Sequence, residues 1–260
     1  MNIVVCIKQV PDTTEVRIDP KTNTLIREGV PSIINPDDKA GLEAALRLKD
    51  EYNAHVTVIT MGIPNAEVAL RESLAMGADE AILITDRAFG GADTLATSTT
   101  LAAALKNLNY DLIITGRQAI DGDTAQVGPQ IAEHLGLVNI SYAEDIKIDG
   151  NDIIIKRQYE DRYHTLKTKL PCLITALTEL NKPRYMTPGG IFDAYREKEV
   201  KIWNLKDVDV DQESIGLKGS PTKVVKSFTK GAKSAGKVFA LEPQESAELI
   251  VEKMKEKFII

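Results

Sequence analysis

Short apolar runs alternate with stretches of helical spacing through the first half of the chain. Ile3 to Val10 is nearly all apolar and predicts a buried strand, stopped at Lys8-Gln9-Val10-Pro11-Asp12. Asp19-Pro20-Lys21-Thr22-Asn23 predicts a turn. Asn35-Pro36-Asp37-Asp38 is a strong helix start. Asn35 suits the cap, Pro36 the first helical position, and the two acids complement the positive end of the dipole. Val56 to Met61 predicts a second strand, and Ala66, Ala69, Leu70, Ser73 and Leu74 a helix closed by Gly77. Ala81 to Thr85 predicts a third strand, Asp93 the cap of a helix through Leu95, Leu101 and Leu105, and Asp111 to Thr115 a fourth strand.

Strand–helix alternation of this kind predicts an α/β fold. The expected form is an open, mainly parallel sheet with helices on both faces. Beyond it, Ile146, Ile148, Asp149-Gly150, Ile153 and Ile155 predict a β-hairpin, and Leu173 to Leu177 one more strand. From Pro183 to about Trp203 the pattern reads as irregular, and 205 to 241 as loosely organised. Glu242 to Lys257 restores a narrow apolar helical stripe, expected to dock elsewhere as an extended C-terminal arm. The expected division is therefore a domain over 1–204, carrying a partner-recognition loop at about 183–200, and an arm over 205–260.

Composition narrows the function classes. The 260 residues are 43% hydrophobic and 27% charged, ordinary for a globular protein. A net charge of -6 argues against a nucleic-acid binder. The lysines at 223, 226, 230, 233 and 237 read as a solvated or partner-facing arm. Cys6 and Cys172 lie in apolar runs, as reduced buried thiols do, and His55, His134 and His164 are scattered, so no metal site is expected. Without a signal peptide or an apolar run of membrane length, a cytoplasmic location is expected.

The chemistry concentrates in Gly116-Arg117-Gln118-Ala119-Ile120-Asp121-Gly122-Asp123-Thr124-Ala125-Gln126-Val127-Gly128-Pro129. This loop leaves a strand end and opens a helix, the place where open parallel sheets bind ligands and where helix N–H groups meet anions. Asp123 and Gln126 have capping-box spacing, which would start the helix at Asp123 and leave Pro129 beyond its first turn. On composition alone a capped connection and a phosphate site stand level, and position at a strand end favours the site. The acids of Asn35 to Asp38 would repel phosphate, so that segment would meet a ribose or adenine. Asp93-Thr94 and Thr97 could face a ligand or merely cap a helix. A GxGxxG fingerprint is absent, and Gly231 to Val238 has P-loop spacing but Val238 in the hydroxyl place, with no strand before it. No nucleophile elbow, zinc motif or kinase signature appears.

Four segments resemble the β subunit of electron-transfer flavoproteins: Val4 to Asp12; Asn35 to Asp38 leading to Lys49; Gly116 to Pro129; and Leu170-Pro171 with Asn181-Lys182-Pro183-Arg184-Tyr185. The resemblance covers residues 3 to 202. It implies an adenine-nucleotide-binding, Rossmann-like fold paired with an α subunit that holds an electron-transferring FAD. Carried over by position, it implies cofactor contacts at Cys6, Asn35, Pro36, Asp37, Asp38, Met61, Thr94, Thr97 and at Gly116, Arg117, Gln118, Ala119, Ile120, Asp121, Gly122, Asp123, Thr124, Ala125, Gln126 and Val127, with phosphate on the turn from Asp123 to Val127. Asp37 stands where many relatives have an aromatic residue. Pro188 stands where mammalian-type members present a leucine to acyl-CoA dehydrogenases. Val127-Gly128-Pro129 is similar to the electron-bifurcating group, in which the β-bound ligand is FAD.

That likeness implies a heterodimer taking hydride from NADH. Its electrons go to a low-potential acceptor, ferredoxin or flavodoxin, and, through the α-subunit FAD, to an acyl-CoA dehydrogenase. Oxidoreductase activity would belong to the αβ pair, and no side chain of this chain is implied as catalytic acid or base. Two alternatives stand beside it: a non-bifurcating β subunit holding AMP structurally, and a stand-alone adenine-nucleotide module, which would have little use for the C-terminal arm. A ligase of related fold would need a Ser-Gly-Gly pyrophosphate loop that is absent.

Overall fold

The computed structural model describes residues 1–12, 31–223, 225 and 236–260. The turn expected at 19–23, the lysines at 226, 230 and 233 and most of the Gly231–Val238 stretch lie outside these. The chain forms two compact units, Met1–Val225 and Lys226–Ile260.

The first unit opens with β1 (Asn2–Cys6), β2 (Gln9–Pro11), β3 (Ser32–Ile34), α1 (Pro36–Tyr52), β4 (His55–Met61), α2 (Glu67–Met76) and β5 (Glu80–Ile84). It continues through α3 (Thr94–Leu105), β6 (Leu112–Gly116), α4 (Val127–Leu135), β7 (Val138–Asp149), β8 (Asp152–Gln158), β9 (Tyr163–Lys169), β10 (Cys172–Ala176), α5 (Pro188–Arg196) and β11 (Val200–Trp203). The nine-stranded sheet has the order β11-β5-β4-β1-β6-β10-β7-β8-β9. It is parallel from β11 to β7, and β8 and β9 add antiparallel at one edge.

Alternation along each buried strand explains the layers. Ile3 and Val5, with Ile114 and Ile174, face a core built with Leu42 and Leu46 of α1 and Leu70 and Leu74 of α2. Val4 and Cys6, with Ile113 and Leu173, face a second core with Leu101 and Leu105 of α3 and Ile131 of α4. Both faces are thus covered, as a parallel sheet requires.

The first apolar run divides in two. Ile7 N–H still reaches Ile59 at 2.9 Å, but Lys8 turns its N–H to Asp38, and the chain leaves the large sheet to pair β2 with β3. The segment read as irregular holds α5 and β11. Thr187 caps α5, accepting from Gly190 N at 3.0 Å, and Pro188 occupies the first turn. Two adjacent glycines hide this helix from a propensity reading, and burial of Ala194 in the first core secures it. β11 pairs with β5 at the sheet edge. The boundary expected at 204/205 falls inside the first unit, because Val208 and Ile215 are buried in the second core. β9 completes a three-stranded extension of the predicted hairpin.

In the second unit α6 (Pro243–Glu256) forms where the apolar stripe predicts it. None of its residues is buried, and Ile250, Val251, Phe258, Ile259 and Ile260 are exposed.

Ile114 sits in a central strand and is fully buried. Ile114→Ala is expected to lower unfolding free energy by about 2–5 kcal/mol in urea titration, and a loss below about 1 kcal/mol would contradict the packing described.

Candidate nucleotide cleft

The chain builds β1, β4 and β5 outward in one direction, then returns to place β6 on the other side of β1. The connections leaving β1 and β6 therefore diverge, opening a crevice at the carboxyl ends of these strands. A cleft of about 1010 Å³ lies there. Its floor is Cys6 to Lys8 and Thr115 to Ala119; one wall is Gly122 and Thr124 to Gly128; the other is Met61 to Pro64, Thr85 to Arg87 and Phe89 to Thr94.

The start of α1 ties these strand ends together. Asp38 is buried, and its two oxygens accept Lys8 N–H at 2.7 Å, beyond β1, and Gly116 N–H at 2.9 Å, at the end of β6. Asp37 turns the other way, toward β10. It accepts the Thr178 N–H at 3.1 Å and hydroxyl at 3.2 Å, and lies 3.4 Å from Arg117 Nε. That ion pair is too poorly aligned to be a hydrogen bond, and the buried Nε has no partner among the described residues. Asn35 is fully buried and occupies the cap position of α1, yet its side chain makes no cap bond. Its amide donates to Gln118 O at 2.8 Å and accepts from Ile120 N–H at 3.0 Å. Gly116 is required where α1 meets β6: a Cβ there would fall 2.8 Å from the Asp38 backbone nitrogen.

The loop from Gly116 to Gln126 is held by contacts within the chain. Lys8 Nζ pairs with Asp121 at 2.7 Å, and Gln118 Nε2 donates to Asp123 at 2.9 Å. The capping box is corrected here: α4 begins at Val127, not Asp123, so Pro129 falls in its first turn, where no N–H is needed. Asp123 instead closes a turn, its N–H on Ala119 O at 2.9 Å and its φ at 49. Ala125 also takes positive φ, 52, and Gln126 follows at φ -108 and ψ -33. Such a left-handed-to-helical step aims successive N–H groups into one concavity. The N–H groups of Thr124, Ala125, Gln126, Val127 and Gly128 meet no acceptor among the described residues. The neighbouring α3 differs, because Asp93 caps it by accepting Ala96 N–H at 3.1 Å. Of the two helix starts in the cleft, α4 is the one open to an anion. Gln126 reaches across to α3, accepting the Thr94 hydroxyl at 2.8 Å.

Most of the expected contact residues gather here. Cys6, Asp38, Met61, Thr94, Thr97, Gly116, Arg117, Gln118, Ala119, Gly122, Thr124, Ala125, Gln126 and Val127 line the cleft. Asn35, Pro36, Asp37, Ile120, Asp121 and Asp123 do not: they stand behind the wall, and several hold it. Asp37 is spent on Thr178 and Arg117. Missed from the sequence are Lys8, Gly62 to Pro64 and the wall from Thr85 to Arg87 and from Phe89 to Ala92. The signal was available in the ends of the second and third strands, which open on the same edge of a parallel sheet. Burial pushes the Cys6 thiol far up and that of Cys172 up to about 11, so neither is a thiolate nucleophile. Among the described residues no cluster of metal-ligating side chains occurs, and no helix is long and apolar enough to cross a membrane.

A family model described as "Electron transfer flavoprotein domain" matches residues 22–208. The chain belongs to the electron transfer flavoprotein family. It is 62% identical over 260 residues to "Electron transfer flavoprotein subunit beta" of Clostridium acetobutylicum, with both chains covered completely. It is 57% identical over 263 residues to "Caffeyl-CoA reductase-Etf complex subunit CarD" of Acetobacterium woodii, again over 100% of both. With "Acryloyl-CoA reductase electron transfer subunit gamma" of Anaerotignum propionicum the identity is 47% over 269 residues and 100% of both. The electron transfer flavoprotein β subunit is thus the branch of the family to which it is similar throughout.

Burial pushes the Asp38 carboxyl up to about 7, against the bonds from Lys8 N–H, the Asn35 side chain and Gly116 N–H, with the Asp37 charge adding to the rise. The unfolded group titrates near ~4. Between these values the folded chain keeps a proton that the unfolded chain releases. This contribution to stability is therefore full below about pH 4 and lost as pH rises through about 7. Asp38→Asn also strips one N–H of its acceptor, costing about 1–3 kcal/mol. The deficit of D38N relative to wild type, from urea titrations, is expected to be larger at about pH 5 than at about pH 8; a deficit equal at both would contradict this.

Proposed function

We propose that this chain is the FAD-binding β subunit of an electron-bifurcating flavoprotein. With its α subunit it takes hydride from NADH and divides the electrons between a ferredoxin- or flavodoxin-type acceptor and, through the α-subunit FAD, an acyl-CoA dehydrogenase. The size of the cleft carries the FAD reading. Small-molecule sites run to about 1,000 Å³, and this one, at about 1010 Å³, reaches from the start of α4 past β1 and β4 to the wall beyond β5. That span suits a dinucleotide better than AMP. The names of two relatives, one in a caffeyl-CoA reductase complex and one an electron transfer subunit of acryloyl-CoA reductase, support a CoA-linked redox partner.

Bound FAD would supply hydride acceptance and release of electrons singly. The chain supplies the binding. The free N–H groups from Thr124 to Gly128 suit the diphosphate, with Lys8, Arg87 and Arg117 as cationic groups in the cleft. The oxygen-rich Asp38 at the floor favours an uncharged part of the ligand beside it. No side chain here is assigned as acid or base. We assign the unit from Lys226, with its unburied α6, to docking on the α subunit, and the 183–200 segment, with exposed Tyr185, Phe192 and Tyr195, to the dehydrogenase contact.

Counting nucleotides in the purified αβ pair tests the reading: two FAD per pair are expected, and one FAD with one AMP would overturn it. Asp123→Ala combined with Gln126→Ala removes the acceptors of Gln118 and Thr94. Nucleotide retention through dialysis is expected to fall about tenfold, while α-subunit pairing persists. Unchanged retention would remove the loop from the site.

A further inference from the structure

We infer that Asn35 is a positioning residue: its buried side-chain amide, working from behind the cleft, holds the nucleotide loop in its binding shape. This rests on reading the cleft as a nucleotide site. Asn35 does not line the cleft, so it is no ligand contact. It has also given up the capping role that its position at the start of α1 offers. The amide donates to Gln118 O at 2.8 Å and accepts from Ile120 N–H at 3.0 Å, both on the loop backbone, and it also faces the Asp38 carboxyl. Those two contacts bracket Ala119, whose carbonyl receives the N–H groups of Gly122 at 3.2 Å and Asp123 at 2.9 Å. The turn that leads into the free N–H groups of Thr124 to Gly128 is therefore built on a peptide segment whose backbone one side chain grips on both sides of Ala119.

Complete burial makes that arrangement selective. Both bonds are partly buried, so a side chain lacking donor or acceptor leaves a backbone group of the loop poorly paired. Only an amide supplies both in the wild-type geometry. A carboxyl group supplies both when protonated, and when ionised it sets a negative oxygen against Gln118 O. The charged and titratable groups around this position are Asp37 and Asp38 on α1, Lys8 beyond β1, and Arg117 and Asp121 in the loop. Two of these are acids immediately beside it on α1, so an introduced carboxylate would be held in its protonated form well above the ordinary range.

The experiment uses the full-length chain with its α subunit, as wild type, Asn35→Ala and Asn35→Asp. Hydrogen exchange without nucleotide reads positioning alone. Asn35→Ala is expected to raise exchange selectively at the bonded amides of the turn, Ile120, Gly122 and Asp123, with β4 and β5 unchanged. Uniform loss of protection over the whole chain, or no change in the loop, would overturn the proposal. FAD and AMP titrations read the consequence. Asn35→Ala is expected to weaken binding by about tenfold to a hundredfold at every pH. The Asn35→Asp deficit relative to wild type is expected to shrink as pH falls by more than the alanine deficit changes over the same range. Wild-type affinity in both variants, or an aspartate deficit that changes no more than that of alanine, would refute it. If wild type bound neither nucleotide, the functional reading would fail while the exchange result still decided the role of Asn35.

Discussion

Three side chains at one helix start organise this molecule. A parallel sheet leaves every strand end as an open row of backbone groups, and the connections that follow must be pinned or they wander. Asp38 pins the ends of β1 and β6 to each other, Asp37 reaches the segment after β10, and Asn35 reaches the loop after β6. Buried acids are costly, and the high Asp38 titration expresses that cost. It is offset by satisfying N–H groups that would otherwise be orphaned where the strands diverge. The result is a cleft whose floor is tied together by the protein's own hydrogen bonds.

The division of labour between α3 and α4 follows from the same logic. Both helices present their starts to the cleft, but Asp93 satisfies α3 while α4 carries Gln126 at its cap position with no cap bond. A ligand anion can complete only the second. Pro129 and the positive φ of Ala125 work together here, since the first turn needs no N–H at 129 and the step before it gathers those that remain. Gly128 permits α4 to lie close against the sheet, where a Cβ would come within 2.9 Å of Thr175.

Much of this was legible from residues alone, and the reasons are physical. Buried parallel strands such as Leu112 to Thr115 betray themselves as apolar runs, and Asp93, Gly77 and Pro36 mark helix ends because caps are local chemistry. The features that escaped depend on distant partners. Asp123 has the spacing of a cap and is diverted to Gln118 in a turn. Val208 and Ile215 look like isolated apolar residues in a polar stretch until the second core receives them. Two glycines concealed α5, whose hold comes from the core contact of Ala194.

By itself the sequence determined the strand–helix alternation, the parallel sheet, the loop that borders a cleft at the strand ends and, through four separated segments, the family. Periodicity, capping and turn chemistry are properties of neighbours along the chain, and so they can be read from it. Only the tertiary structure decided which polar residues line the cleft and which stand behind them. Asn35 and Asp38 are three positions apart on one helix start, yet one holds the loop from outside the cleft and the other forms its floor. That difference arises because burial leaves each side chain only the backbone groups that the folded strands bring within reach, and no local pattern records where those groups will be.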